Sequence, residues 1–223
     1  MRTKRQPNFL YLLAGLLVIL VAGPVVYEFT RQPMPLVSQI AFTTTLIVGL
    51  WSLMEERKWF IAGIVLVVAD ISMTALHLMT GTLWTETLTL LIEMTFCVMS
   101  LAFAMDHILF GTKMSINRIT GAICAYLLLG LILSQANMLI YRFVPGSFNG
   151  IDASEISTEG FTLVYYSFVT MTTLGYGDVT PEGALARVLA YLAAIVGQFY
   201  IAILVAMLVS QYINQLNESK KAE

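Results

Sequence analysis

The sequence predicts an all-α membrane protein with six transmembrane helices and one shorter, re-entrant helix. Of its 223 residues, 58% are apolar and 12% charged, and the mean hydropathy is +0.79, far outside the balance of a soluble domain. A helix needs about 20 mostly apolar residues to cross the hydrocarbon core, and six runs supply them. A seventh run, Thr158–Met171, would rise only about 21 Å and cannot cross. It has to lie against protein or water rather than lipid.

The first run, Phe9–Tyr27, follows Arg2, Lys4 and Arg5, as a signal peptide would. It is longer than a signal core, and Pro24 follows Ala22-Gly23 where cleavage would be wanted, so it is read as a retained helix. Leu36–Met54 and Trp59–Met79 flank the charged loop Glu55-Glu56-Arg57-Lys58. Glu86–Phe110 is the fourth run, Ser115–Tyr141 the fifth and Pro181–Asn214 the last, with Thr158–Met171 between the last two. The chain thus divides into residues 1–112, with four spans, and 113–223, with two spans around the short helix.

With the N-terminus in the cytoplasm, Arg2, Lys4, Arg5, Arg57, Lys58, Lys113, Arg118, Lys220 and Lys221 lie inside and only Arg31, Arg142 and Arg187 outside. This is the positive-inside pattern and places both termini in the cytoplasm of a cell membrane. Trp51 and Trp59 then mark the inner interface and Trp84 the outer one. Glu28, Glu86, Asp152, Glu155, Glu159, Asp178 and Glu182 face outward, where they either are simply solvated or concentrate cations. A net charge of −2 offers no basic field for nucleic acid. Cys97 and Cys124 lie in apolar runs and match neither a disulfide framework nor a metal site. The chain has no His-Glu-x-x-His motif, phosphate loop or nucleophile elbow, so no enzymatic activity and no cofactor are expected.

The segment with chemical content is Thr172-Thr173-Leu174-Gly175-Tyr176-Gly177-Asp178. Passing an ion through hydrocarbon requires oxygens in place of its water shell, and a ring of backbone carbonyls provides them without fixed charge. Gly175 and Gly177 permit the unusual backbone angles this demands. A Gly-Tyr-Gly tripeptide alone would be an ordinary turn. Here it follows a short helical run, sits between two spans, and is closed by Asp178 and by Pro181, expected in the first turn of the last helix.

In that setting Thr173–Asp178 resembles the signature of the tetrameric potassium channel superfamily, with Leu174 where valine is commonest, and the likeness extends over Ser115–Asn214. The resemblance implies an outer helix, pore helix, selectivity filter and inner helix, with K+ as the transported ion. Its sites would be the carbonyls of Thr173, Leu174, Gly175 and Tyr176 and the Thr173 hydroxyl, with Gly177 completing the filter. A homotetramer around a central pore follows, because each chain holds one filter segment. Thr172, Asp178, Tyr165 and Tyr166 would support the filter, the tyrosines as an aromatic cuff. Val169 stands where some relatives hold an acid, so one brace is missing. Leu174 is expected to point into the packing behind the filter. The C-terminal end of the pore helix, with its partial negative charge, would favour a cation in the cavity, and Ser157 or Thr158 would cap its start. In the last helix Gly197 is either a gating hinge or a close-packing site against the pore helix. Ile201, Val205 and Val209 recur at helical spacing, either lining a hydrophobic gate or facing lipid.

The four leading helices stand where six-span potassium channels carry a voltage sensor, which needs about 3–4 mobile charges per subunit. No Arg or Lys occurs from Trp59 to Thr112, so voltage dependence is expected to be weak or absent. The ionisable groups at membrane depth are instead Asp70, His77, Glu93 and Asp106. Asp70 and Glu93, together with His77, are candidates for a proton-sensing or polar locking site. The alternative is static hydrogen bonding to Ser72, Thr74 or Thr95. The chain stops nine residues after Asn214, so a C-terminal ligand-binding domain is not expected, while a separate soluble partner stays open. So does the choice between packing of the leading helices on their own pore and on a neighbour's. The rival functions are a non-selective cation leak and a non-conducting accessory subunit.

Overall fold

The computed structural model describes residues 9–30, 35–54, 56–110, 115–151 and 159–222. Helices α1 (Phe9–Thr30), α2 (Pro35–Leu53), α3 (Arg57–Thr80) and α4 (Leu83–Phe110) lead, followed by α5 (Ile116–Phe143), α6 (Glu159–Met171) and α7 (Ala184–Ala222). Two short strands, β1 (Phe148–Asn149) and β2 (Thr180–Pro181), pair antiparallel with Phe148 opposite Pro181. Among the described residues five helices, α1, α3, α4, α5 and α7, are long and apolar enough to cross a membrane. The remaining one of the six expected spans, α2, has 19 residues, of which Phe42–Trp51 is the described apolar part. The 13 residues of α6 fall short of a span, as its sequence predicts. This is a multi-pass, all-α membrane protein.

Local chemistry sets the helix ends. Ser115 begins α5 in an extended conformation and accepts from the Arg118 amide, the usual N-cap arrangement. Gly81 ends α3 at φ 59°, its N–H returned to the His77 carbonyl, a left-handed cap that glycine adopts without penalty. Pro181 does not open the last helix. It lies in β2, and α7 begins three residues later at Ala184, because the Glu182 and Gly183 amides are both taken by the Ser147 carbonyl. The predicted caps at Ser157 and Thr158 lie outside the described residues. At 39 residues, α7 reaches about 58 Å and so runs well past one bilayer core.

One core joins the two halves. Phe9, Leu12 and Leu16 of α1, Leu46 of α2, Phe96 and Phe103 of α4 and Leu128 of α5 are buried together. The Phe9 amide donates to Asn117 Oδ1 at 3.0 Å, the Cys124 thiol contacts the Phe9 carbonyl at 3.5 Å, and Gly121 leaves room for the Phe9 ring. Arg118 is buried and its Nε donates to the Ile108 carbonyl at 2.8 Å, which ties the end of α4 to the start of α5. Arg142 pairs with Glu86 at the other end of the same two helices. The leading helices therefore pack on α5 of their own chain. Both cysteines are buried and free, as expected of packing residues.

Candidate functional site: the 172–178 loop and its supports

The loop hangs from the C-terminal end of α6. The Val169 carbonyl accepts from the amides of Leu174 at 3.0 Å and Gly175 at 3.3 Å, while the Thr173 amide bonds to the Thr170 carbonyl at 3.0 Å. Thr172 Oγ1 donates back to the Phe168 carbonyl at 2.7 Å. Past this anchor the backbone alternates: Thr173, Gly175 and Gly177 have φ of 61°, 57° and 80°, and the residues between them have no positive φ. Alternating handedness in consecutive residues is how a chain turns successive peptide groups to one side instead of coiling. Two of the three left-handed positions are glycines, which adopt that conformation freely. The third, Thr173, receives Gln198 Nε2 at 3.4 Å on its hydroxyl.

At the far end the brace is a side-chain one. Tyr165 Oη donates to Asp178 Oδ2 at 2.7 Å, and the Val179 amide donates to Asp178 Oδ1 at 3.0 Å. The Tyr165 ring stacks on Tyr176 with centroids 6.4 Å apart. Tyr166 is buried instead, its ring edge-on to Phe148 of β1, so the two tyrosines brace different things. Gly150, at φ 84°, brings β1 against the Asp178 carbonyl, where a Cβ would come within 1.9 Å. Asn149 Nδ2 donates to Glu182 Oε1 at 3.0 Å.

The hydroxyl of Tyr165 holds the Asp178 carboxyl below its ordinary value of 3.8. A lowered folded-state value means the bond contributes above pH 3.8 and is lost as pH falls through the lower folded value. Tyr165→Phe is therefore expected to loosen the loop at neutral pH. Any response of the wild type between about pH 5 and about pH 8 has to come from other groups. Potassium flux of both proteins across that range checks this, and a wild-type response abolished by Tyr165→Phe contradicts it.

Several expectations need correction. Leu174, expected to pack behind the loop, is 56% exposed in the single chain. Asp70 and Glu93 do not bond to Ser72, Thr74 or Thr95. Ser72 and Thr95 are satisfied by carbonyls one turn back, Val68 and Leu91, and the partners come from other helices, Thr43 for Asp70 and Gln135 for Glu93. His77 joins neither acid, since its ring is 2.9 Å from Thr85 Oγ1. Asp106 is exposed near the end of α4. Ile201, Val205 and Val209 are exposed, but so are Ile195, Phe199 and Ile203, so no single stripe of α7 is singled out. Gly197 lies against α6, where a Cβ would fall 2.1 Å from the Met171 carbonyl oxygen.

Sequence reasoning marks Val169 as the place of a missing brace, whereas its carbonyl anchors the loop, a role that carries no side-chain signal. It missed Gln198, Gln135 and Asn137. These were visible as amides inside apolar runs, the pattern that marks buried hydrogen bonding.

Residues 122–214 match the family model described as "Ion channel". The chain is 30% identical over 99 residues to the A-type voltage-gated potassium channel KCND3 of Homo sapiens and of Rattus norvegicus, covering 43% of this chain and 15% of KCND3. It is 34% identical over 59 residues to the potassium voltage-gated channel protein Shal of Drosophila melanogaster, covering 26% of this chain and 10% of Shal. The chain thus spans only a small part of the length of the curated relatives it matches. No solved structure matches it. The match runs from the second turn of α5 into α7, with α6 and the 172–178 loop inside it. Over these residues the chain is similar to the ion channel family, and the relatives it resembles there are voltage-gated potassium channels.

Proposed function

We propose that the chain is one subunit of a homotetrameric, potassium-selective channel of the cell membrane, with the filter at Thr173–Gly177. The observation that carries this reading is the alternating backbone at 173, 175 and 177, hung from the end of a helix too short to span. Four such loops around an axis present rings of the Thr173, Leu174, Gly175 and Tyr176 carbonyls, with the Thr173 hydroxyl below, in place of the water shell of K+. One chain supplies one quarter of the ring, and closed rotational symmetry supplies the rest. The exposure of Leu174 and of Tyr176, 66%, fits residues that neighbouring copies cover. Potassium is cargo, and no resident cofactor enters the scheme. Residues 113–223 form the pore domain and residues 1–112 a voltage-sensor-like domain in contact with lipid, both termini cytoplasmic.

Conduction is passive and nearly independent of voltage, because α3 and α4 carry no Arg or Lys beyond Arg57 and Lys58 at the start of α3 and about 3–4 mobile charges per subunit are needed for steep gating. Modulation by protons at the Asp70 and Glu93 pair is supported by the burial of both acids, 0% and 5% exposed, on neighbouring helices. Potassium efflux from proteoliposomes holding the purified chain tests the reading. Efflux that discharges a potassium gradient but leaves a sodium gradient standing, with little change as the membrane potential is varied, is expected. Equal loss of both cations would favour a leak channel, and a steep voltage response would remove the claim about gating.

A further inference from the structure

Away from the loop, polar side chains of the transmembrane region run from α2 to α6 as three hydrogen-bonded pairs. Thr43 on α2 donates to Asp70 Oδ2 on α3 at 2.7 Å. Asp70 on α3 and Glu93 on the neighbouring α4 are both buried, and Glu93 Oε2 is 3.5 Å from Gln135 Nε2 of α5. Asn137, also on α5, donates to Ser167 Oγ of α6 at 2.9 Å, and Ser167 Oγ donates to the Leu163 carbonyl at 2.7 Å. Asp70, Glu93, Gln135, Asn137 and Ser167 are all buried.

Gln135 and Asn137 are two residues apart, about 200° around the helix. One therefore reaches α4 and the other α6, from opposite sides of α5. Their neighbourhood is tightly packed. A Cβ on Gly130 of α5 would lie 2.4 Å from the Phe168 ring of α6, and one on Gly197 of α7 would lie 2.1 Å from the Met171 carbonyl oxygen. With α6 wedged in this way, a shift or rotation of α5 has to be taken up by the pore helix that carries the loop.

The Glu93–Gln135 contact is long and half used. Gln135 Oε1 is buried and has no partner among the described residues. An ionised carboxylate can only accept, so it leaves that oxygen unsatisfied. A protonated Glu93 has an O–H to give it, and the amide then both donates and accepts. Other groups around Glu93 differ in their effect. Asp70 on α3 is a like charge, relieved when Glu93 takes a proton. His77 on α3 is engaged with Thr85. Arg142 on α5 is paired with Glu86 of α4 and, as a cation, favours the ionised form of Glu93. Cys97 is a buried thiol on α4 itself, and α2 contributes no titratable side chain among its described residues.

We propose that Gln135 and Asn137 are positioning residues that carry the proton occupancy of Glu93 across α5 to Ser167, so that acid regulates the channel from the filter end. The inference rests on the potassium-channel reading and adds the route and the readout. The test is potassium efflux from proteoliposomes holding the full chain, measured from about pH 5 to about pH 8. Wild-type efflux is expected to change about tenfold or more across that range. Glu93→Gln should be flat at the wild type's acid-side level. Gln135→Met and Ser167→Ala should conduct with a response below about twofold. Gln135→Glu should move the midpoint upward by about one pH unit, since it sets another carboxylate beside Glu93. If Gln135→Met fails to assemble, the Gln135→Glu midpoint decides. A wild type that carries potassium without a pH response overturns the proposal. So do Gln135→Met and Ser167→Ala channels with the full response beside a flat Glu93→Gln, which would keep the proton site and remove the route. An unmoved Gln135→Glu midpoint does the same. A wild type that carries no potassium at any pH instead removes the channel reading, and the inference with it.

Discussion

Gly175→Ala and Gly177→Ala are each expected to abolish selective potassium flux while leaving the chain folded. Space is not the obstacle, because nothing lies within 4 Å of a Cβ at either position. The obstacle is conformation. Both residues are left-handed, at φ 57° and 80°, and an L residue with a Cβ is disfavoured there by roughly 1–2 kcal/mol. In the proposed ring of four copies that becomes roughly 4–8 kcal/mol, applied to the atoms proposed to select the ion. The chain escapes by flipping out of the alternating conformation, which turns carbonyls away from the axis. Because the loop is exposed at the end of α6 and the core lies elsewhere, the fold survives. Size-exclusion profiles and proteoliposome flux check both halves of the expectation, and undiminished selective flux in either variant would contradict it.

Gly197→Ala should be as damaging by a different mechanism. The added methyl would meet Met171 at its carbonyl oxygen, 2.1 Å, its carbonyl carbon, 2.9 Å, and its side chain, 2.6 Å. Overpacking costs typically about 1–3 kcal/mol. Here the atoms met are backbone, which cannot step aside as a flexible side chain can, and Met171 is the residue before Thr172. The displaced element is thus the anchor of the loop. Flux is expected to fall by about two orders of magnitude, with thermal stability reduced and the residual current less selective. Gly130→Ala is a milder companion, since the atoms it meets belong to the Phe168 ring. A pure hinge at Gly197 predicts a different pattern, altered opening with stability and selectivity intact, so melting and selectivity measurements on Gly197→Ala separate the two.

How much of this was legible in the sequence depends on what each feature is made of. Spans were legible because bilayer thickness fixes their length, and α6 stood out because Thr158–Met171 is too short by the same rule. The loop was legible because its special angles require glycine at two places and glycine is a visible letter. The start of α7 was misplaced because Pro181 suits both a first helical turn and the edge of a short strand. The Ser147 carbonyl that takes the Glu182 and Gly183 amides lies more than 30 residues away, and local patterns do not show it. The acids at positions 70 and 93 were found as charges in apolar runs. Their partners do not show in local sequence, because packing joins helices that are distant along the chain. Thr43 and Gln135 are 27 and 42 residues away from the acids they meet. Leu174 is the reverse case: it is more than half exposed in a single chain, and only the proposed tetramer would cover it.

The central claim is that the alternating loop at 173–177 selects potassium, and reversal potentials test it most directly. Purified wild-type chain in a planar bilayer, with potassium on one side and sodium on the other, should show single-channel currents whose reversal follows the potassium gradient as that gradient is varied. Currents reversing near zero whenever total cation is equal on the two sides would contradict it.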